Sequence, residues 1–393
     1  MPTHAASGQS LEARTEVAAE EAARQALAAL SGQKLLAAIV FASPKHKLGK
    51  ALATIEGLVE GAPVIGCTTA GELTERGVLH DGLAVLLLAG DGLAIGAHAV
   101  GTKGEPDRVA SQLSAGYAEA QKQATSRGFA ASTTVILVDG LAGTGDRVVS
   151  SVLRSTRAFQ QIVGGAAGDE GAFSSTHVGM GARASSDAAA ALHFFGAQRW
   201  GVGVDHGLTA GRERHVVTRS EGNVVHEIDG RPAFELYRAH AKARGVTLEP
   251  EAAGPYLIAN ELGLFFLDEL RTARAPLSVT ASGALSCAAD VPEGATICVL
   301  EGRPDAMVAA AKHAAEEAHA ALQGQRAAAV LVFDCVCRAT ILGDEVGREL
   351  EAIKSVFPDT PIAGFFTYGE IARSRGKLDG WHNTTAVVVA IPA

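Results

Sequence analysis

Two stretches nearly the whole chain apart, PVIGCTTAGEL (63–73) and PIAGFFTYGEI (361–371), write the same turn. Each runs from a proline through an apolar strand to a glycine, then places hydroxyl side chains and a Gly-Glu pair at one spacing. A glycine after a buried strand lets the chain turn sharply and lets a small ligand approach the main chain. Cys67 and Thr69 in the first copy, with Thr367 and Tyr368 in the second, then line a strand end beside the carboxylates of Glu72 and Glu370. The alternative is a structural turn whose glutamate accepts hydrogen bonds from nearby backbone N–H groups.

Arg338 stands just past a predicted strand end, where α/β sheets present ligand-contacting loops. A guanidinium there grips a carboxylate through two parallel hydrogen bonds. With Glu370 in the turn after the next strand, the pair would bracket a zwitterion, and Glu72 and Thr69 would line the corresponding cleft of the first lobe. The alternative is a surface arginine, or an internal salt bridge to Glu345 or Glu349. Cys335, at the same strand end, is either a packed apolar residue or a nucleophile. In a rival reading, a hydrolase or amidase, Cys67 or Cys335 attacks with His382 as base. Cys335 and Cys337 alternate along the expected strand, so their side chains should face opposite ways. Paired CxxC, HExxH, a Walker loop and a strand–GxGxxG–helix are all absent, so neither a zinc site nor a nucleotide loop is expected.

A recurring module must position these residues: helix, strand, loop, helix, strand, glycine turn, strands. It is expected over 11–104 and 105–220, where Val163-Gly164 aligns with Ile65-Gly66 and Asp169 falls opposite Glu72. It recurs over 305–393, and a degenerate fourth copy is expected in 230–300. Residues 82–100 read as a β-hairpin around Gly90-Asp91-Gly92. The expected fold is α/β, with duplicated lobes, mixed or antiparallel sheets and helices packed on their faces. The domains would span 11–220 and 221–393.

The 393 residues include 43 acidic and 34 basic ones, and no Lys/Arg block appears, which argues against nucleic acid as a partner. The longest apolar runs fall well short of the roughly 20 residues that a membrane span needs. No signal peptide is recognisable, and five scattered cysteines fit a reducing cytoplasm rather than a disulfide framework. Abundant Ala and Gly fit a GC-rich bacterial source.

FDCVCRATILGDEV, PIAGFFTYGEIA and WHNTTAVVVAI together resemble the C-terminal half of the FIST family (F-box and intracellular signal transduction proteins). HEIDGRPAFELY resembles the start of that half, and PVIGCTTAGEL and IVGGAAGD resemble its N-terminal half. The resemblance implies a non-enzymatic sensory protein that binds a small, amino-acid-like molecule and signals to a partner such as a histidine kinase. Cofactors are expected to be none. The alternative that the resemblance brings is a haem-binding nitric-oxide sensor, whose axial ligand would come from His193, His206, His215 or His226. Thiol titration of the unfolded chain without reductant should count all five cysteines; a lower count would reveal a disulfide.

Overall fold

The computed structural model describes residues 2–101, 106–155, 161–373 and 380–393. The first unit runs β1 (Thr3–Ser10), α1 (Thr15–Leu30), β2 (Leu35–Ala42), α2 (Leu48–Glu56), β3 (Val64–Thr68), β4 (Glu72–Thr74), β5 (Gly77–Leu79) and β6 (Leu83–Gly90). The second repeats it: β7 (Leu93–Gly101), α3 (Pro106–Ser126), β8 (Ala131–Val138), α4 (Gly145–Ser155), β9 (Gln161–Ala166), β10 (Val178–Met180), β11 (Arg183–Ser185) and β12 (Ala188–Gly196).

The third unit opens with β13 (Gly201–Asp205) and is then interrupted. The inserted module holds β14 (Thr209–Ala210), β15 (His215–Glu221), β16 (Val224–Ile228), β17 (Arg231–Pro232), α5 (Phe234–Lys242), α6 (Gly254–Ala259), β18 (Leu262–Phe266), β19 (Glu269–Arg274), β20 (Pro276–Val279), β21 (Leu285–Cys287) and β22 (Thr296–Glu301). The unit resumes with α7 (Pro304–Ala321), β23 (Ala327–Cys335), α8 (Val336–Leu342), α9 (Gly347–Val356), β24 (Ile362–Thr367), β25 (Glu370–Arg373), β26 (Trp381–His382) and β27 (Ala386–Pro392).

Among the described residues the strands form four sheets, three of them six-stranded with one plan. The orders are β1-β6-β2-β3-β10-β11, β7-β12-β8-β9-β25-β26 and β13-β27-β23-β24-β4-β5. In each, one unit supplies four strands, with one parallel pair (β2/β3, β8/β9 or β23/β24). A hairpin from another unit completes the sheet. The exchange is cyclic: the second unit's hairpin joins the first sheet, the third unit's the second, and the first unit's the third.

The inner faces of the three sheets share one apolar core. Phe41 stacks on Phe365 at 4.9 Å between ring centroids, and Phe333 meets both edge-on. Strands buried on both faces read as continuous apolar runs, as β2 and β6 do. Helices cover the outer faces, and glycine and alanine let them come close. A Cβ on Gly8 would lie 1.8 Å from the Ala22 carbonyl of α1. On Gly96 it would lie 2.1 Å from Gly116 O of α3, and on Gly203 1.8 Å from Ala314 O of α7.

The α/β class with duplicated units, mixed sheets and helices on their faces is as expected. Two expectations are corrected. Residues 82–100 are not a hairpin: β6 pairs with β1 and β2, while β7 pairs with β12, so Asp91-Gly92 carries the chain between two sheets. Pairing of β6 within the first sheet and of β7 at the edge of the second overrode the local turn signal. Residues 230–300 are not a fourth copy either, because among the described residues the module's strands pair only antiparallel and lack the β–α–β crossover.

Gly364 tests the parallel pairing. An added Cβ would sit 2.1 Å from the Val332 carbonyl, whereas Gly347, at the start of α9, has open space around it. Gly364→Ala should cost about 2 kcal/mol or more in chemical denaturation. Gly347→Ala should be neutral or stabilising by up to about 1 kcal/mol. Equal effects would contradict the close approach of β24 to β23.

Candidate functional site

Strands β3, β9 and β24 each end in a turn, and the three turns join head to tail. Phe366 accepts from Ala70 N–H at 3.0 Å and donates its own N–H to Gly71 O at 2.9 Å. Ala166 N–H donates to Gly369 O at 2.8 Å, and Tyr368 N–H to Ala166 O at 3.1 Å. Gly168 N–H donates to Thr68 O at 2.9 Å, and Glu170 N–H to Thr69 O at 3.1 Å. The repeated sequence therefore makes a closed ring of turns, one from each unit.

The first and third turns are built alike. Thr69 Oγ1 donates to Glu72, and Thr367 Oγ1 donates to Glu370. The other carboxylate oxygen caps the entry to the next long strand. Glu72 Oε2 accepts from Gly82 N–H at 3.2 Å, and Glu370 Oε2 from Thr385 N–H at 3.0 Å and Thr385 Oγ1 at 2.9 Å. Both glutamates are fully buried, so the structural-turn alternative describes their bonds. Burial pushes the Glu72 carboxyl up to about 8 and the Glu370 carboxyl up to about 7.

The second unit has Ala167 in place of the threonine, and its acid, Asp169, turns to the adjoining loop. Asp169 accepts the N–H groups of Phe173, Ser174 and Ser175 at 2.8, 2.7 and 2.9 Å. The Tyr368 hydroxyl also donates to it, and the Tyr368 ring stacks on Phe173 at 4.5 Å. Burial opposes ionisation of Asp169, but these bonds outweigh it and hold its pKa below the usual value.

Arg338 does not share a cleft with Glu370. It is fully buried in α8, with Nε 2.9 Å from Asp334 at an angle too bent for a hydrogen bond, and Nη2 on Glu349. Nη1 donates to His206 O at 2.8 Å and Nη2 to Met307 O at 2.8 Å. Every nitrogen faces a protein acceptor, so the bracketed zwitterion is corrected to the internal salt bridge to Glu349. The reason is local: β23 ends at Cys335 and α8 begins at once, turning Arg338 inward over Asp334 one helical turn back. The same helix start brings Cys335 and Cys337 into one small cluster with Ala275, not onto opposite faces.

Sequence reasoning missed Glu261, in the inserted module, which meets the third turn from outside. Thr384 Oγ1 donates to its Oε1, while Oε2 is buried without a partner among the described residues. Burial pushes its carboxyl up to about 8, with the nearby Glu370 charge adding to the shift. No spacing pattern in ANELG marks this residue.

A cleft of about 320 Å³ lies against Thr385, between the body formed by the three six-stranded sheets (the barrel) and β19 of the inserted module. The barrel contributes Asp205, His206, His313, Glu317, His382, Asn383 and Thr385, and the inserted module Arg271, Thr272 and Ala273. Asn383 is 2% exposed, and its Oδ1 has no partner among the described residues. Asp205 accepts from His313 Nδ1 at 2.7 Å, and Glu317 from Val204 N–H at 3.3 Å.

The FIST N domain model matches residues 37–231, and the FIST C domain model matches 233–373. The chain belongs to the FIST family. FIST domains are sensor domains of signal transduction that bind small ligands. No curated protein sequence matches the chain. A cyanuric acid hydrolase structure from A. caulinodans is similar at 9% identity and a TM-score of 0.36, covering 100% of both chains. T. maritima PurL complexed with ADP is similar at 10% identity and a TM-score of 0.23, covering 98% of this chain and 71% of that one. At such scores neither likeness bears on function.

The thiols of this FIST protein are not poised for nucleophilic attack. Cys67 is fully buried and Cys335 is 3% exposed, and burial pushes both thiols well above their usual range. His382 Nε2 lies 2.9 Å from the Ala372 carbonyl. The histidines considered for haem differ in how their ring nitrogens are held. His193 is held at both ring nitrogens, by Thr134 Oγ1 at 2.7 Å and Leu113 O at 2.8 Å. His206 Nδ1 accepts from Leu208 N–H at 2.9 Å, and His215 Nδ1 pairs with Asp229 at 2.7 Å. His226 lies half-buried on β16, away from the cleft. Among the described residues no helix is long and apolar enough to cross a membrane, and no group of three His, Cys, Asp or Glu side chains could hold a metal ion.

The buried acids make stability depend on pH. Glu72, Glu261 and Glu370 bind protons more tightly in the native state than at the ordinary value of 4.5. Their contribution is therefore full below about pH 4.5 and is lost as pH rises through about 7 to 8. Glu261→Gln and Glu370→Gln should each flatten the fall in melting temperature between about pH 5 and about pH 9. A slope unchanged from wild type in both variants would show that these carboxyls ionise freely.

Proposed function

We propose that this FIST protein is a cytoplasmic sensor whose ligand, a small amino-acid-like molecule, occupies the cleft between the barrel and β19. The observation that carries this reading is Asn383 Oδ1, a buried acceptor without a partner among the described residues, in the wall of that cleft. Leaving such a group unsatisfied costs about 1–3 kcal/mol, which a bound donor would recover. An ammonium group is the donor that suits it, because Asp205 and Glu317 add negative charge to the same wall. Arg271, 40% exposed on β19 and 3.2 Å from the exposed Glu269, offers the cation for the ligand's carboxylate.

One end of such a ligand contacts the barrel and the other the inserted module, so occupancy biases how the two units meet. That bias is the signal passed to a partner, for which a histidine kinase is one candidate. Melting-temperature shifts across a panel of free amino acids, followed by calorimetry, test the reading. Arg271→Ala and Asn383→Ala should each weaken binding by roughly tenfold or more. Amino acids that produce no shift, or that bind both variants as well as wild type, would overturn it.

A further inference from the structure

A second cleft, of about 500 Å³, lies within the inserted module, between one side of α5 with the residues just after it and the segment 211–215 beside β22. Its apolar lining comes from Leu236, Ala239, Ala243 and Val299, of which Ala239 and Ala243 are exposed. Its rim is charged, and the charges are unequally matched. Arg244 pairs with Glu301, which also has His240 Nε2 at 3.7 Å and Arg303 at 3.5 Å. Glu301 is therefore neutralised by its own neighbours. His215 pairs with Asp229 at 2.7 Å, and burial lowers the pKa of His240. Glu213 projects outward, its side chain 90% exposed, with His215 Nε2 at 3.9 Å its one ion pair among the described residues. Arg212 is the cation left over: it lines the cleft and has no hydrogen bond or ion pair among the described residues.

We infer that this cleft is a second binding site, for a small monocarboxylate with an apolar body. The lining removes apolar surface from water, and a planar guanidinium at the rim matches a carboxylate through two parallel hydrogen bonds. The site is distinct from the amino-acid cleft, which is lined by acids and contains an unpartnered acceptor. A carboxylate without an ammonium group suits the Arg212 rim and is disfavoured beside Asp205 and Glu317.

Calorimetric titration of the full chain with benzoate tests the inference, with benzamide as the uncharged control and inorganic phosphate as the anion without an apolar body. Benzoate should bind wild type at millimolar concentrations, and benzamide and phosphate should bind more weakly. Arg212→Ala should weaken benzoate by roughly ten- to a hundredfold, and Arg212→Lys should recover only part of that loss. Ala239→Phe, at an exposed helix position, should fill the cleft and abolish benzoate binding with the melting temperature unchanged. Arg271→Ala should leave benzoate binding intact, which separates this site from the one proposed for amino acids. No benzoate binding, equal binding of benzamide, or unchanged affinity in Arg212→Ala would each overturn the inference.

Discussion

The ring of backbone hydrogen bonds among the three glycine turns is the contact on which the rest of the barrel depends. Each turn leads into a hairpin that leaves its own unit and finishes the sheet of another. Without that exchange β3, β9 and β24 would be parallel edge strands, with a row of unpaired N–H and C=O groups. With it, every edge of this kind is covered by β10, β25 or β4. The units are thus mutually dependent, since each lacks part of its sheet until the neighbours arrive.

This dependence constrains side-chain size. Three sheets share one core, in which Phe41 of the first meets Phe333 and Phe365 of the third beside Val135, Leu137 and Leu192 of the second. Glycine in the first strand of each unit lies under alanine or glycine of the long helix, so backbone meets backbone at close range. The wealth of Ala and Gly in the composition follows from that geometry, and so does the low aromatic content of 5%. Close packing of small side chains replaces the bulkier interdigitation of a looser core.

Charge is placed where the units meet. Glu72 and Glu370 each satisfy a threonine and a strand entry, which ties the turn to the strand that follows it. Glu261 reaches the same region from the inserted module, and Arg338 binds Asp334 and Glu349 nearby. Glu261, Glu370 and Asp334 share a low-dielectric volume with one guanidinium, so they cannot all ionise without mutual repulsion. The junction between barrel and module is therefore sensitive to protonation, and the cleft against β19 borders it through Thr385.

The sequence by itself determined the repeated unit, its helices and strands, the glycine turns and the family. Those features are local patterns: apolar runs, periodicity and a turn spelled at one spacing in PVIGCTTAGEL and PIAGFFTYGEI. The roles of Glu72 and Glu370 were legible as one of two alternatives, because a Gly-Glu pair suits either a ligand or a cap. Only the tertiary structure decided that Arg338 is an internal ion pair, since its partners Glu349, Met307 and His206 come from α9, α7 and the loop after β13. The same holds for the cyclic exchange of hairpins and for Asn383, whose missing partner is visible only once a second unit closes the cleft. Local sequence dictates which elements form; which acceptor a buried donor finds depends on chain segments brought together by burial, and no spacing along the chain encodes that.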